Sequence, residues 1–243
     1  MPKKMDAIAL TQLVDELRTA HGENLASVIL YGSAAAGDHI ELRSDHNLLI
    51  VLNRITTEDL RVSQVPMRAW QGLGQPMPVY FSVEELNDAA DVFPIEFLQM
   101  EKARKVLYGS DPFEFVQVSR ANLRHQTEYE LRTKLIQLRR LYIPASISIE
   151  RLSSLMSDSI ASFAALFRAV LILHGQEPPI TKGETVRAIV RLLELDSSPF
   201  DRIFELRAHH RLSLTETESN EIFAAYMTQI ERVIEVVDRL DSK

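Results

Sequence analysis

Residues 25–52 read LASVILYGSAAAGDHIELRSDHNLLIVL, and this stretch decides the fold. Two apolar runs, Leu25–Tyr31 and Leu48–Leu52, enclose a small-residue break at Gly32–Gly37 and a polar loop. Runs of this length, rich in Val, Ile and Leu and bounded by turn residues, predict strands covered on both faces. Gly32-Ser33 closes the first run and Asp45-His46-Asn47 opens the second. Side chains alternate along a strand, so Asp45 and Asn47 are expected to project together and His46 to the other side.

Upstream, Ile8, Leu10, Leu13, Val14 and Leu17 recur near helical spacing over residues 5–20, and Gly22 supplies the stop. Downstream, Thr56–Arg68 reads as a helix with an end blurred by Pro66. Gly72, Gly74, Pro76 and Pro78 punctuate a loop before a third strand at Val79-Tyr80-Phe81. Ser82 with Glu84 and Glu85 reads as a helix start, and Lys105–Gly109 as a last short strand or turn. From Ser119 the period becomes helical and stays so. The predicted helices are Ser119–Ile143, stopped by Pro144; Ile147–His174, capped by Gly175; Thr181–Leu195, opened by a Thr-x-x-Glu box; one starting at Ser198-Pro199; and Thr215–Leu240. Five helices with short connections predict a bundle. There is no internal repeat.

Composition narrows the classes. The chain has 243 residues, enough for one large domain or two small ones. It contains no cysteine, which excludes disulfides and thiolate metal sites and fits a reducing cytoplasm. A net charge of −7 and a pI near 5.6 argue against sequence-independent nucleic-acid binding, which needs clustered Lys and Arg. The N-terminus lacks the apolar core of a signal peptide. The most apolar segment, around Ile160–Leu173, is interrupted by Arg168 and falls short of the ~20 residues of a span. The expectation is a soluble, cytoplasmic protein that does not engage a membrane.

Gly32-Ser33, eleven intervening residues and Ser44-Asp45-His46-Asn47 entering a strand resemble the signature of the nucleotidyltransferase superfamily, the polymerase-beta-like fold. Leu107-Tyr108-Gly109 and Phe93–Leu98 are similar to segments of aminoglycoside nucleotidyltransferases, as is the order of a small α/β domain before a helical bundle. The resemblance implies an α/β (α+β) nucleotidyltransferase-like domain with a small mixed sheet over residues 1–117, and an all-α helical bundle over 118–243. It also implies a ligand, a nucleoside triphosphate such as ATP with Mg²⁺, and transfer of a nucleotidyl group to a hydroxyl on a small molecule or protein. Gly32 and Ser33 then hold phosphate, Asp45 and Asn47 hold metal, and Asp45 is catalytic.

The sequence departs from the family pattern at two acids. The second aspartate is Asn47, whose amide brings no charge to a hard cation. The third maps near Val79 or Tyr80, neither of which can act as base. Among the substitutes Glu84, Glu85, Glu96 and Glu101, Glu96 stands between apolar neighbours, and partial burial there would raise its pKa toward a working base. The alternative to an impaired transferase is a non-catalytic relative acting as nucleotide sensor, scaffold or antitoxin-like subunit.

Remaining candidates read mostly as structure. His46 is expected in a core or interface, since Mg²⁺ disfavours imidazole. Arg120, Arg124, Arg132, Arg139 and Arg140 alternate with Glu128 and Glu130 as charge pairs on a helix face. Lys134 is the exception that the resemblance offers to the nucleotide's phosphates. Arg202 and His209 loosely resemble an Arg-x4–6-His element of ribonuclease-type helical domains, and Trp70, Phe163 and Phe167 read as packing.

Overall fold

The computed structural model describes residues 7–32, 34–35, 46–114, 116–208 and 214–240. The chain divides into two compact units, Met1–Ser119 and Arg120–Lys243.

In the first unit the two apolar runs become β1 (Leu25–Tyr31) and β2 (Asn47–Leu52), the central strands of a four-stranded sheet. Their flanks are β3 (Val79–Ser82), parallel to β2, and β4 (Arg104–Gly109), antiparallel to β1; β1 and β2 are antiparallel. The sheet is therefore small and mixed, in the order β3-β2-β1-β4. Both faces of the central pair are covered, which is why neither run shows polar alternation. Val28, Leu30, Leu48, Ile50 and Leu52 pack on Leu13, Val14 and Leu17 of α1 (Ala7–His21) and on Met67 and Trp70 of α3 (Gln64–Gly72). Ile29, Leu49 and Val51 pack on Leu86 of α4 (Val83–Asp88), Phe97 and Met100 of α5 (Pro94–Lys102), and Phe113. Each fully buried aliphatic side chain stabilises this core by about 1.5–3 kcal/mol.

Three local readings change. Residues 56–68 form not one helix but α2 (Thr57–Val62) and α3, which part at Ser63. Pro66 then falls in the first turn of α3, where its missing N–H has no intrahelical acceptor to lose. Helix α5 was hidden because only Pro94 at its first position marks it. Finally, the strand or turn expected at Lys105–Gly109 is a paired strand that begins one residue earlier, at Arg104.

Ser63 also anchors the α2–α3 junction to α1. Its hydroxyl lies 2.9 Å from the buried His21 Nε2 and donates to the Asp59 carbonyl. Burial pushes the His21 imidazole below its usual 6.5, against the pull of Asp59. A depressed folded-state pKa gives stability that is complete above 6.5 and lost as pH falls below it. The wild type is thus expected to lose more thermal stability than His21→Gln between pH 7 and pH 5. Equal slopes of Tm against pH in the two proteins would remove His21 from the account.

The second unit comprises α6 (Arg120–Ala145), α7 (Ile149–Leu173), α8 (Lys182–Leu192), α9 (Ser198–Ala208) and α10 (Glu216–Asp238). Ser148, Thr181 and Thr215 cap α7, α8 and α10, the last two in reciprocal boxes with Glu184 and Glu218. Helix α6 runs two residues past the predicted stop at Ile143, because Pro144 in its last turn removes only one terminal bond.

Helix α7 packs against all four others. By length and composition it is apolar enough to cross a membrane, contrary to the reading of a shorter stretch. Here it is the core helix of the bundle, with Met156, Ile160, Phe163, Phe167 and Val170 buried. Arg168 reaches the Pro179 and Ile180 carbonyls instead of interrupting the packing. Tyr226 of α10 meets Phe163 and Phe200 edge-on at 6.2 and 5.8 Å. The arginines of α6 are indeed largely paired: Arg124 and Arg132 hold Glu128 at 2.8 and 2.7 Å, and Arg139 reaches Glu231 of α10 at 2.7 Å.

Candidate nucleotide site

Where β1 ends, Gly32 adopts φ +80°, a left-handed conformation that a side chain disfavours. Its N–H donates to the Ala103 carbonyl at 2.9 Å, and its own carbonyl accepts from Ala35 N–H at 3.0 Å. The Gly32 N–H is therefore already committed and is not itself an anion donor. What the glycine provides is room. A Cβ on Gly32 would sit 3.3 Å from the Asn47 Nδ2, so the Asn47 amide lies directly over the bare backbone of the turn.

Asn47 is the first residue of β2 and pairs with Tyr31, the last of β1. By alternation its side chain shares the face of Leu49 and Val51. Among the described residues the Asn47 amide makes no side-chain hydrogen bond. Asp45 and Ser33, the partners expected here, lie outside the described residues, as do Asp38, Glu41 and His209. His46 is half-buried; its N–H donates to Gln75 Oε1 at 2.9 Å, and its buried Nδ1 has no partner among the described residues.

The register of β3 separates the two positions proposed for the third acid. Val79 pairs with Leu49 and Tyr80 with Ile50. Tyr80 packs on the α1–α3 face, whereas Phe81, two residues from Val79, packs on the face Asn47 shares. Val79 therefore stands on the Asn47 side and is 38% exposed, and Tyr80 belongs to the other.

Glu96 is exposed, not partly buried as its neighbours suggested. The buried side of α5 is made by Ile95, Phe97 and Met100, and Glu96 projects between them toward solvent. Glu85 is committed to capping α4, where it accepts the Ser82 N–H at 2.8 Å.

In the second unit Lys134 makes no ion pair among the described residues. It lines a small cavity of about 210 Å³ with Gln137, Asp158, Ser159, Ser162 and Phe163. Arg202 pairs with Glu205 at 2.8 Å. Trp70, Phe163 and Phe167 are buried packing residues.

No family model and no curated protein sequence matches the chain. Among solved structures the chain is similar to spectinomycin adenyltransferase AAD(9) from Enterococcus faecialis, crystallised with ATP and spectinomycin. The TM-score is 0.57 at 12% identity, over 95% of this chain and 100% of that one. The fold is similar to that of this adenyltransferase, and both the α/β unit and the helical unit fall within the likeness.

At the described positions the side chains offer little to the Mg²⁺ that the sequence resemblance implies. Of the positions where the resemblance places acids, the second is an amide, Asn47, and the candidates for the third are Val79 and Tyr80; Asp45 lies outside the described residues. Among the described residues no three His, Asp or Glu side chains cluster as a cation site. A hard divalent cation prefers carboxylate oxygens, and these described positions supply none.

Proposed function

We propose that the chain binds a nucleoside triphosphate at the Gly32 turn and transfers a nucleotidyl group, slowly, to a hydroxyl on a small molecule or protein. The observation that carries this reading is the Asn47 amide lying over a left-handed glycine at the strand end. Bare backbone there lets a phosphate approach more closely than any side chain would permit. Ser33 is assigned to the same phosphate. Asp45 is assigned as the remaining carboxylate, the place where Mg²⁺ brought by the nucleotide would be met.

The chain's own part in the reaction is then binding and orientation. Placing a hydroxyl against the α-phosphorus is the larger share of what a phosphoryl-transfer site does. No aspartate in β3 takes the acceptor's proton, because that strand is Val79-Tyr80-Phe81-Ser82. Slow turnover follows from that lack, since a positioned base contributes about 10²–10⁴-fold.

The same substitutions favour a second reading, nucleotide binding without transfer, in a sensor, scaffold or antitoxin-like subunit. Incubation with α-labelled ATP, Mg²⁺ and hydroxyl-bearing acceptors, with pyrophosphate release followed, separates the two. Labelled acceptor supports transfer. ATP binding without label supports the sensor, and the absence of calorimetric ATP binding overturns both.

A further inference from the structure

Three cross-strand partners lie in one row at the end of the sheet that carries Gly32. Tyr31 of β1 is opposite Asn47 of β2 on one side and Arg104 of β4 on the other. Directly opposed residues share a face with Cβ atoms about 4.5–5.5 Å apart. Tyr31 indeed packs with the cluster on the Asn47 side. Arg104 lies 5.5 Å over the Phe113 ring of that same cluster.

The row is not used up by the fold. Arg104 is held by Asp111 at 2.8 Å and by the Glu101 carbonyl. The Tyr31 hydroxyl and the Asn47 amide, by contrast, form no hydrogen bond among the described residues. Tyr31 is half-buried, and burial pushes its phenol above the usual 10.0. It therefore stays protonated and remains a donor at neutral pH.

We infer that Tyr31 and Asn47 together bind the nucleotide's phosphates as neutral donors, so that nucleotide affinity does not depend on Mg²⁺. This rests on the reading of the Gly32 turn as a nucleotide site. It follows from the mismatch between the donor set and a hard cation. A site with carboxylates at positions 47 and 79 repels phosphate unless metal stands between them. With an amide at 47 and an alkyl group at 79, Asp45 is the one carboxylate left to contribute that repulsion. A phenol and an amide N–H₂ each donate hydrogen to an anion without a metal between, and hydrogen bonds to a charged group are the stronger kind.

The test is calorimetric titration of the full chain with ATP and, separately, adenosine, in Mg²⁺ and in EDTA. The wild type is expected to bind ATP with a Kd that changes less than about three-fold on chelation. Tyr31→Phe is expected to weaken ATP about ten-fold in both buffers, the loss of one hydrogen bond to a charged acceptor. The same variant should bind adenosine like the wild type, because the lost donor serves phosphate. Chelation that weakens wild-type ATP binding more than ten-fold overturns the inference. So does a Tyr31→Phe protein that binds ATP normally, or one that loses ATP and adenosine equally. In each of these the parent reading survives, since the wild type binds ATP. A wild type that binds no ATP in either buffer overturns both.

Discussion

Gly109→Ala is expected to lower the melting temperature by about 10 °C, the largest loss from a methyl group added at any glycine among the described residues. Gly109 closes β4 opposite Ser27 of β1 at φ +77°. A Cβ there would lie 1.9 Å from the Ala26 carbonyl oxygen and 2.9 Å from its carbon. Both are backbone atoms of a central strand, so no side-chain rotation relieves the contact. Left-handed φ costs a non-glycine residue roughly 1–2 kcal/mol, and overpacking typically adds about 1–3. At ~2–4 °C per kcal/mol for a chain of this size, the sum gives the stated shift. Gly72→Ala is the control: its Cβ meets nothing within 4 Å, and its φ is not left-handed. Differential scanning fluorimetry should show that variant within about a degree of wild type, since surface changes are usually within ~0.5 kcal/mol. Similar melting of the two variants would mean that β4 separates from β1 at little cost.

That glycine also shows how much of the fold was legible. Leu107-Tyr108-Gly109 drew notice as a likeness, yet its physical reason, close approach to the Ala26 backbone, is a tertiary fact. The central strands could be read because burial on both faces leaves an unbroken apolar run. The helix starts at Thr181 and Thr215 could be read because a capping box is local. Helix α5 could not, since its buried residues alternate with Glu96, Gln99 and Glu101 and only Pro94 signals its start. The candidate site could be sought at Gly32 and Asn47, where spacing and strand ends carry the information, and the structure brings these two residues together. The choice between Val79 and Tyr80 was not, because it depends on which face of a parallel pair each residue joins. Tyr31 was passed over as the last apolar residue of a strand. Only its register against Asn47 and Arg104 brings it to the candidate site.

Restoring both acids is expected to raise nucleotidyl transfer by about 100-fold or more, the lower bound for a positioned base. Asn47→Asp alone puts a carboxylate over the Gly32 turn, on the strand that Asp45 precedes. Without metal the two charges repel, which raises a carboxylate pKa and costs stability. With ATP present, addition of Mg²⁺ should raise the variant's thermal stability further through ligand linkage, a metal-dependent increment the wild type lacks. Turnover stays low until Val79→Asp is added, because β3 still offers no acid. Val79 is the position to use: it is partly exposed and on the Asn47 side, so an aspartate there costs roughly 1 kcal/mol of strand preference at most. Tyr80→Asp is the matched negative. It removes a ring packed against the α1–α3 core and places its carboxylate on the wrong face, so it should destabilise the protein and rescue nothing. Single-turnover transfer of label from α-labelled ATP reads all four proteins on one scale. If the wild type already turns over at ~1–10³ per second and Asn47→Asp adds nothing, Asn47 is a sufficient ligand and another carboxylate is the base. The amide over Gly32 would then be part of a working catalytic centre rather than the mark of a depleted one.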